Sequence, residues 1–96
     1  METTAIDIGT LITRTPGVVG GRPCVAGTGV SVRRIAALHN LGHIPEEIVA
    51  NFDHLTLAQV HAALAYYYSN KSEIDADLEA EDRLYDELVA KHGHNA

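Results

Sequence analysis

Helix-starting and helix-stopping residues recur so closely between residues 31 and 70 that only short helices fit between them. Ser31 offers an N-cap, and Val32, Ile35, Ala36, Leu38 and His39 follow at helical spacing up to Leu41. Gly42 is placed to end that segment in a left-handed conformation. Pro45 suits the first turn of a second helix, with Glu46 and Glu47 at its positive end and Ile48, Val49 and Phe52 on its buried side. Asp53-His54-Leu55 is a tight connection, and Thr56 caps a third helix. There Leu57, Val60, His61, Leu64, Tyr67 and Tyr68 keep the i, i+3, i+4, i+7 spacing to about Ser69. Three short helices with brief connections predict a trihelical unit of helix-turn-helix layout.

Upstream, five glycines fall between residues 17 and 29, which rules out a helix there. Leu11–Thr15, Cys24–Ala26 and Val30–Val32 are short β-type runs between those turns, predicting two or three short strands. Downstream, Asn70-Lys71-Ser72 breaks the pattern, and Ser72 is placed to cap a fourth helix from about Glu73 to Lys91. On it Ile74, Leu78, Tyr85, Leu88 and Val89 form one apolar stripe, with Leu84 at its margin and Glu81 near its middle. Asp75, Glu79, Asp82 and Asp86 form a separate acidic row, and His92-Gly93-His94-Asn95-Ala96 is expected to fray off the end. The expected fold is mainly α: a small N-terminal β-hairpin, a trihelical domain and an amphipathic C-terminal helix. The chain divides into residues 10–70 and an acidic segment at 71–96.

The 96 residues suffice for one modest core, built without Trp and with a single Phe. Chains of this size often complete their burial by oligomerising, so a homodimer is expected. Cys24 is the only cysteine and reads as a small buried hydrophobe in a reducing, cytoplasmic setting. The first seven residues have no basic start or apolar run of a signal peptide, and no segment approaches the roughly 20 apolar residues of a membrane span. Charge is unevenly placed: residues 71–96 carry eight acids against three bases, which accounts for five of the six excess negative charges.

No catalytic constellation emerges, and the chain is expected to work by binding. His39 and His43 are separated by the helix-ending Gly42, His54 and His61 lie in separate elements, and His92 and His94 sit at the chain end. None belongs to a metal-site motif, so no metal or other cofactor is expected. The glycines lack a strand-loop-helix setting and no Gly-Lys-Ser/Thr follows them, so turn formation explains them. Nucleic-acid contact has candidates in Arg22, Arg33 and Arg34, joined by Thr56 and Gln59 early in helix three, with His61 beside them. Against it stands a slightly acidic body, where phosphate binding normally needs a basic face. The bland alternative makes helix three mainly core, with Ala58, Ala62 and Ala65 packing on its other side. The fourth helix must bury its stripe on its own body, on a second copy or on another protein.

The stretch Pro16-Gly17-Val18-Val19-Gly20-Gly21-Arg22-Pro23 and its continuation through Gly27-Thr28-Gly29 to Val32 resemble the opening motif of the DUF433 family. So do Ile44-Pro45-Glu46-Glu47-Ile48, His54-Leu55-Thr56-Leu57 and Ala62-Ala63-Leu64-Ala65-Tyr66-Tyr67, in the same order over roughly residues 10–70. The resemblance implies a helix-turn-helix-like fold and an antitoxin of a type II toxin–antitoxin pair, encoded beside a PIN-like ribonuclease. Its body would dimerise on operator DNA through Arg22, Arg33, Arg34, Thr56 and Gln59. Its tail would occlude the toxin through Ile74, Leu78, Tyr85 and Leu88, with Glu81 meeting a cation. One departure is that the family's Gly-Thr-Arg is Gly27-Thr28-Gly29 here, which removes a basic contact. The alternative is a stand-alone dimeric transcription regulator whose last helix only dimerises, and a third is a His-dependent metal hydrolase.

Overall fold

In the computed structural model the described residues are 5–17 and 19–92. A 3-10 turn over Ile8–Leu11, with Asp7 accepting from the Gly9 amide at 3.0 Å, leads into strand β1 (Ile12–Thr13). It pairs antiparallel with β2 (Cys24–Val25), Ile12 opposite Val25 and Thr13 opposite Cys24, and an isolated bridge joins Cys24 to Ser31. The three β-type runs thus do meet, though each contributes only a residue or two. The backbone between them turns at positive φ at Gly20, Gly21 and Gly27, conformations that a side chain disfavours.

Helix α1 (Val32–Asn40) starts where Ser31 Oγ accepts the Arg34 amide at 3.1 Å. It stops at Gly42, whose φ of 101° lets the His43 amide return to the Leu38 carbonyl at 3.2 Å. Helix α2 (Pro45–Ala50) is short and opens with Glu47 Oε1 accepting the Ile44 amide at 3.0 Å. Helix α3 (Leu57–Ser69) begins with a reciprocal capping box: Thr56 Oγ1 accepts from the Gln59 amide at 3.1 Å, and Gln59 Oε1 accepts from the Thr56 amide at 2.8 Å. The mainly helical architecture with an N-terminal strand pair is therefore the one expected.

Two local expectations fail. Helix α4 (Lys71–His92) starts ahead of Ser72, because Asn70 alone breaks the chain direction and its carbonyl already accepts the Ile74 amide at 3.1 Å. Ser72 lies inside the first turn and is not the cap. On α3, Leu57, His61 and Tyr68 are exposed, because the face turned to the core centres on Val60, Ala63, Leu64 and Tyr67. The N-terminal 3-10 turn and β1 lie along another side of α3, where Ala62 is buried while Ala58 and Ala65 stay exposed.

The core joins β2, all three short helices and the start of α4: Val25, Ile35, Ile48 and Val60 are fully buried, with Tyr67 and Ile74 1% exposed. Burial of this kind contributes roughly 1.5–3 kcal/mol per large side chain. Cys24, 2% exposed, packs as a small apolar residue beside Thr13. The molecule measures 65 × 28 × 23 Å, its length reflecting a helix that continues past the body.

Candidate partner-binding surface on the fourth helix

The apolar stripe of α4 divides in two. Ile74 is inserted in the core and Leu78 packs half-buried against it. Tyr85 at 66% exposure, Leu84 at 57%, Leu88 at 49% and Val89 at 44% stand in solvent. At about 100° per residue the distal group continues the face that Ile74 and Leu78 turn to the body. The same seam is filled for its first two turns and empty afterwards. Of the five tail residues expected to meet a partner, Ile74 is therefore withdrawn into the body, while Tyr85 and Leu88 are presented.

Glu81 has a cation, supplied by its own chain: Arg33 Nη2 lies 3.2 Å from Glu81 and Nη1 lies 3.4 Å from Asp77. Arg22 Nε donates to Asp77 at 2.8 Å, and Arg14 pairs with Glu73 while also donating to Tyr66 Oη at 3.3 Å. Glu73, Asp77 and Glu81 thus form a second acidic row, at i, i+4, i+8, facing three arginines of the body. The hydrogen bond to Asp77 holds the Arg22 guanidinium above its ordinary pKa, and the Glu73 bond does the same for Arg14. Where such pairs stand open to water, as Arg14 and Glu73 do, solvent screening leaves each one individually weak.

On the opposite side of the helix start, Tyr67 Oη donates to Asp75 at 2.7 Å and accepts from Asn40 Nδ2 at 3.1 Å, while Lys71 Nζ donates to Asp75 at 2.7 Å. Lys71 first, then Tyr67, hold the Asp75 carboxyl below the usual carboxylate range. Asp75 therefore acts as a fastener between α3 and α4. Asp82 and Asp86, farther along its row, form no ion pair among the described residues.

The expected DNA contacts separate likewise. Arg22 and Arg33 are engaged by α4, and Thr56 and Gln59 are engaged with each other in the α3 capping box. Arg34 is exposed and lies over the Phe52 ring at 5.4 Å. Of these five, Thr56 and Gln59 open α3, Arg33 and Arg34 lie in the first turn of α1, and Arg22 precedes β2. Among the described residues no three His, Cys, Asp or Glu side chains gather as a metal site would need; His94 lies outside those residues. Among the described residues no helix is long and apolar enough to cross a membrane.

Two features escape a reading of the sequence. One is the Glu73-Asp77-Glu81 row together with Arg14; its i, i+4, i+8 spacing is visible, but nothing in the sequence says that arginines face it. The other is an apolar groove in which the exposed Ile6 and Ile8, with Leu11, lie beside Ala58, Ala62 and Ala65. Isolated isoleucines in a segment without periodicity give no signal.

Residues 12–67 match the family described as "Protein of unknown function (DUF433)". The crystal structure of a DUF433 member from Anabaena variabilis is similar, with a TM-score of 0.69 and 33% identity over 73% of this chain and 69% of that one. No curated protein matches the chain. The family match runs from β1 to Tyr67 and stops short of α4, so it bears on the body that positions the helix. Covering more than half of the sequence, it establishes that the chain belongs to the DUF433 family.

Proposed function

We propose that this protein is an antitoxin-type binding protein whose distal α4 docks on a PIN-like ribonuclease and occludes it. The observation that carries this reading is the unpartnered stripe of Leu84, Tyr85, Leu88 and Val89, on a helix whose proximal half is already committed to the body. Burying these half-exposed side chains contributes roughly 1 kcal/mol each before the cost of association. Asp82 and Asp86 flank the stripe, so the surface it fits is apolar at its centre and cationic at its rim, as the RNA-binding margin of a nuclease is. Occlusion is steric and electrostatic. The acidic flank competes for cations that hold RNA, and the apolar contacts add affinity that RNA lacks. Operator binding belongs to the same proposal, with the exposed Arg34 as a candidate contact.

The test compares the full chain with a chain ending at Glu81 in capturing a PIN-like ribonuclease encoded beside it. Ending there preserves Ile74 and the arginine pairs, whereas removal of everything after Asn70 would strip the core. Capture by the full chain alone is expected; equal capture by both removes distal α4 from the mechanism. The rival, a dimeric regulator, draws on the same stripe and forecasts a dimeric full chain, a monomeric shortened one and no nuclease capture by either.

A further inference from the structure

We propose that Arg14, Arg22 and Arg33 form a latent site for the phosphate backbone of duplex DNA, and that Glu73, Asp77 and Glu81 of α4 occupy it as a built-in competitor. This rests on, and deepens, the operator-binding half of the function proposed above, and is independent of the nuclease half. The three arginines come from separate places, after β1, before β2 and in the first turn of α1, yet all point to one helix. The body's own acids, Glu46, Glu47 and Asp53, lie on α2 and the connection after it and pair with none of the three. Arg33 and Arg34 moreover sit at the positive end of α1, where cations are unfavourable unless an anion accompanies them. In this chain Asp77 and Glu81 supply that anion for Arg33.

Carboxylates at successive i+4 positions are spaced about 6 Å apart along α4, so the row presents a line of negative charge such as a nucleic-acid strand presents. The pairs are partly open to water at their outer members: the Arg22 side chain is 41% exposed and that of Glu81 51%, while Arg33 and Asp77 between them are 20% and 23% exposed. Individually weak contacts of this kind can be exchanged for phosphates while Ile74 stays seated, since Leu78 beyond it is only half-buried. Duplex is favoured over single strands because single-strand recognition uses exposed stacking rings, and Tyr66, the ring bonded to Arg14, is half-buried.

The experiment measures fluorescence anisotropy of a 20-bp duplex of arbitrary sequence across a salt series, with chain folding followed by circular dichroism. D77N/E81Q keeps side-chain size but removes both negative charges, and an amide at position 77, with one acceptor oxygen in place of two, no longer accepts from both Arg22 and Arg33. It is expected to bind about tenfold more tightly than the unaltered chain, with a log–log salt slope steeper by about two. E46Q/D53N removes the same charge elsewhere and is expected to stay within about twofold of the unaltered chain. Adding R22A/R33A to D77N/E81Q should cancel the gain. E81Q alone, a change at a half-exposed site that spares the fold, should shift affinity in the same direction by less. No gain for D77N/E81Q and E81Q, an equal gain for E46Q/D53N, or an equal gain on a single strand of the same length overturns the proposal. Tight binding of the same duplex by the unaltered chain, with no gain on neutralisation, sinks the competitor and leaves the DNA-binding half of the proposed function standing; no binding of the duplex by any variant at the lowest salt sinks both.

Discussion

Asp75 is the residue on which pH acts most directly. Its carboxylate accepts from Lys71 Nζ and from Tyr67 Oη, the hydroxyl of a ring that is 1% exposed and needs a partner for its polar end. Both bonds favour the charged form, so its pKa lies lower in the folded chain than in the unfolded one. A depressed carboxylate contributes stability that is complete above the unfolded pKa, near pH ~4, and is lost as pH falls through the folded value. The melting-temperature gap between the unaltered chain and D75N should therefore hold steady from neutral pH to about pH 5 and narrow below pH ~4. A gap that is constant down to acid would show that Asp75 is not the fastener. Gly42 supplies a second residue-scale forecast. A Cβ there would meet nothing within 4 Å, so G42A bears only the backbone cost of φ 101°, about 1–2 kcal/mol by urea denaturation. Positions of this kind, with Ser31 and Thr56, were legible because their roles are decided by neighbours within four residues.

At the scale of elements, α4 is two helices in energy though one in geometry. I74A removes a side chain from the core and should cost about 2–5 kcal/mol, whereas L88A, at a position 49% exposed, should stay within about 0.5 kcal/mol. Equal costs in denaturant melts would mean that the distal stripe is covered in solution. The sequence shows the stripe from Ile74 to Val89 as a single feature, because periodicity records which residues share a face and not how far the surface beneath them extends. The same blindness to what lies opposite hid the Glu73-Asp77-Glu81 row behind the more conspicuous row at Asp75, Glu79, Asp82 and Asp86. It also placed Leu57, His61 and Tyr68 on the buried side of α3: their spacing is helical, but the N-terminal turn and the core approach that helix from other directions. The strand pair was legible as β-type runs between turns, and only its extreme shortness was not.

For the whole molecule the decisive balance is between repulsion and an exposed apolar seam. At pH 7 the chain carries a formal charge of −6, most of it on the helix that presents Leu84, Tyr85, Leu88 and Val89. Copies approaching along that helix repel one another before the apolar side chains can meet. The sequence isoelectric point is about 5.3, and as pH falls towards it the repulsion fades while the seam is unchanged. Light scattering of the isolated protein should therefore rise as pH approaches that value, and added salt at pH 7 should produce part of the same rise by screening. An L84S/L88S variant keeps every charge and the core, so a loss of its pH-dependent scattering would assign the association to the seam. If it scatters as the unaltered chain does, the adhesive surface is instead the mainly apolar groove beside Ile6 and Ile8, which has His61 on its lining and lies against α3 rather than α4. Because L84S/L88S acts on distal α4 without touching Ile74 or the arginine pairs, the same variant also separates nuclease capture from folding: a chain that melts normally and captures nothing has lost only its contact surface.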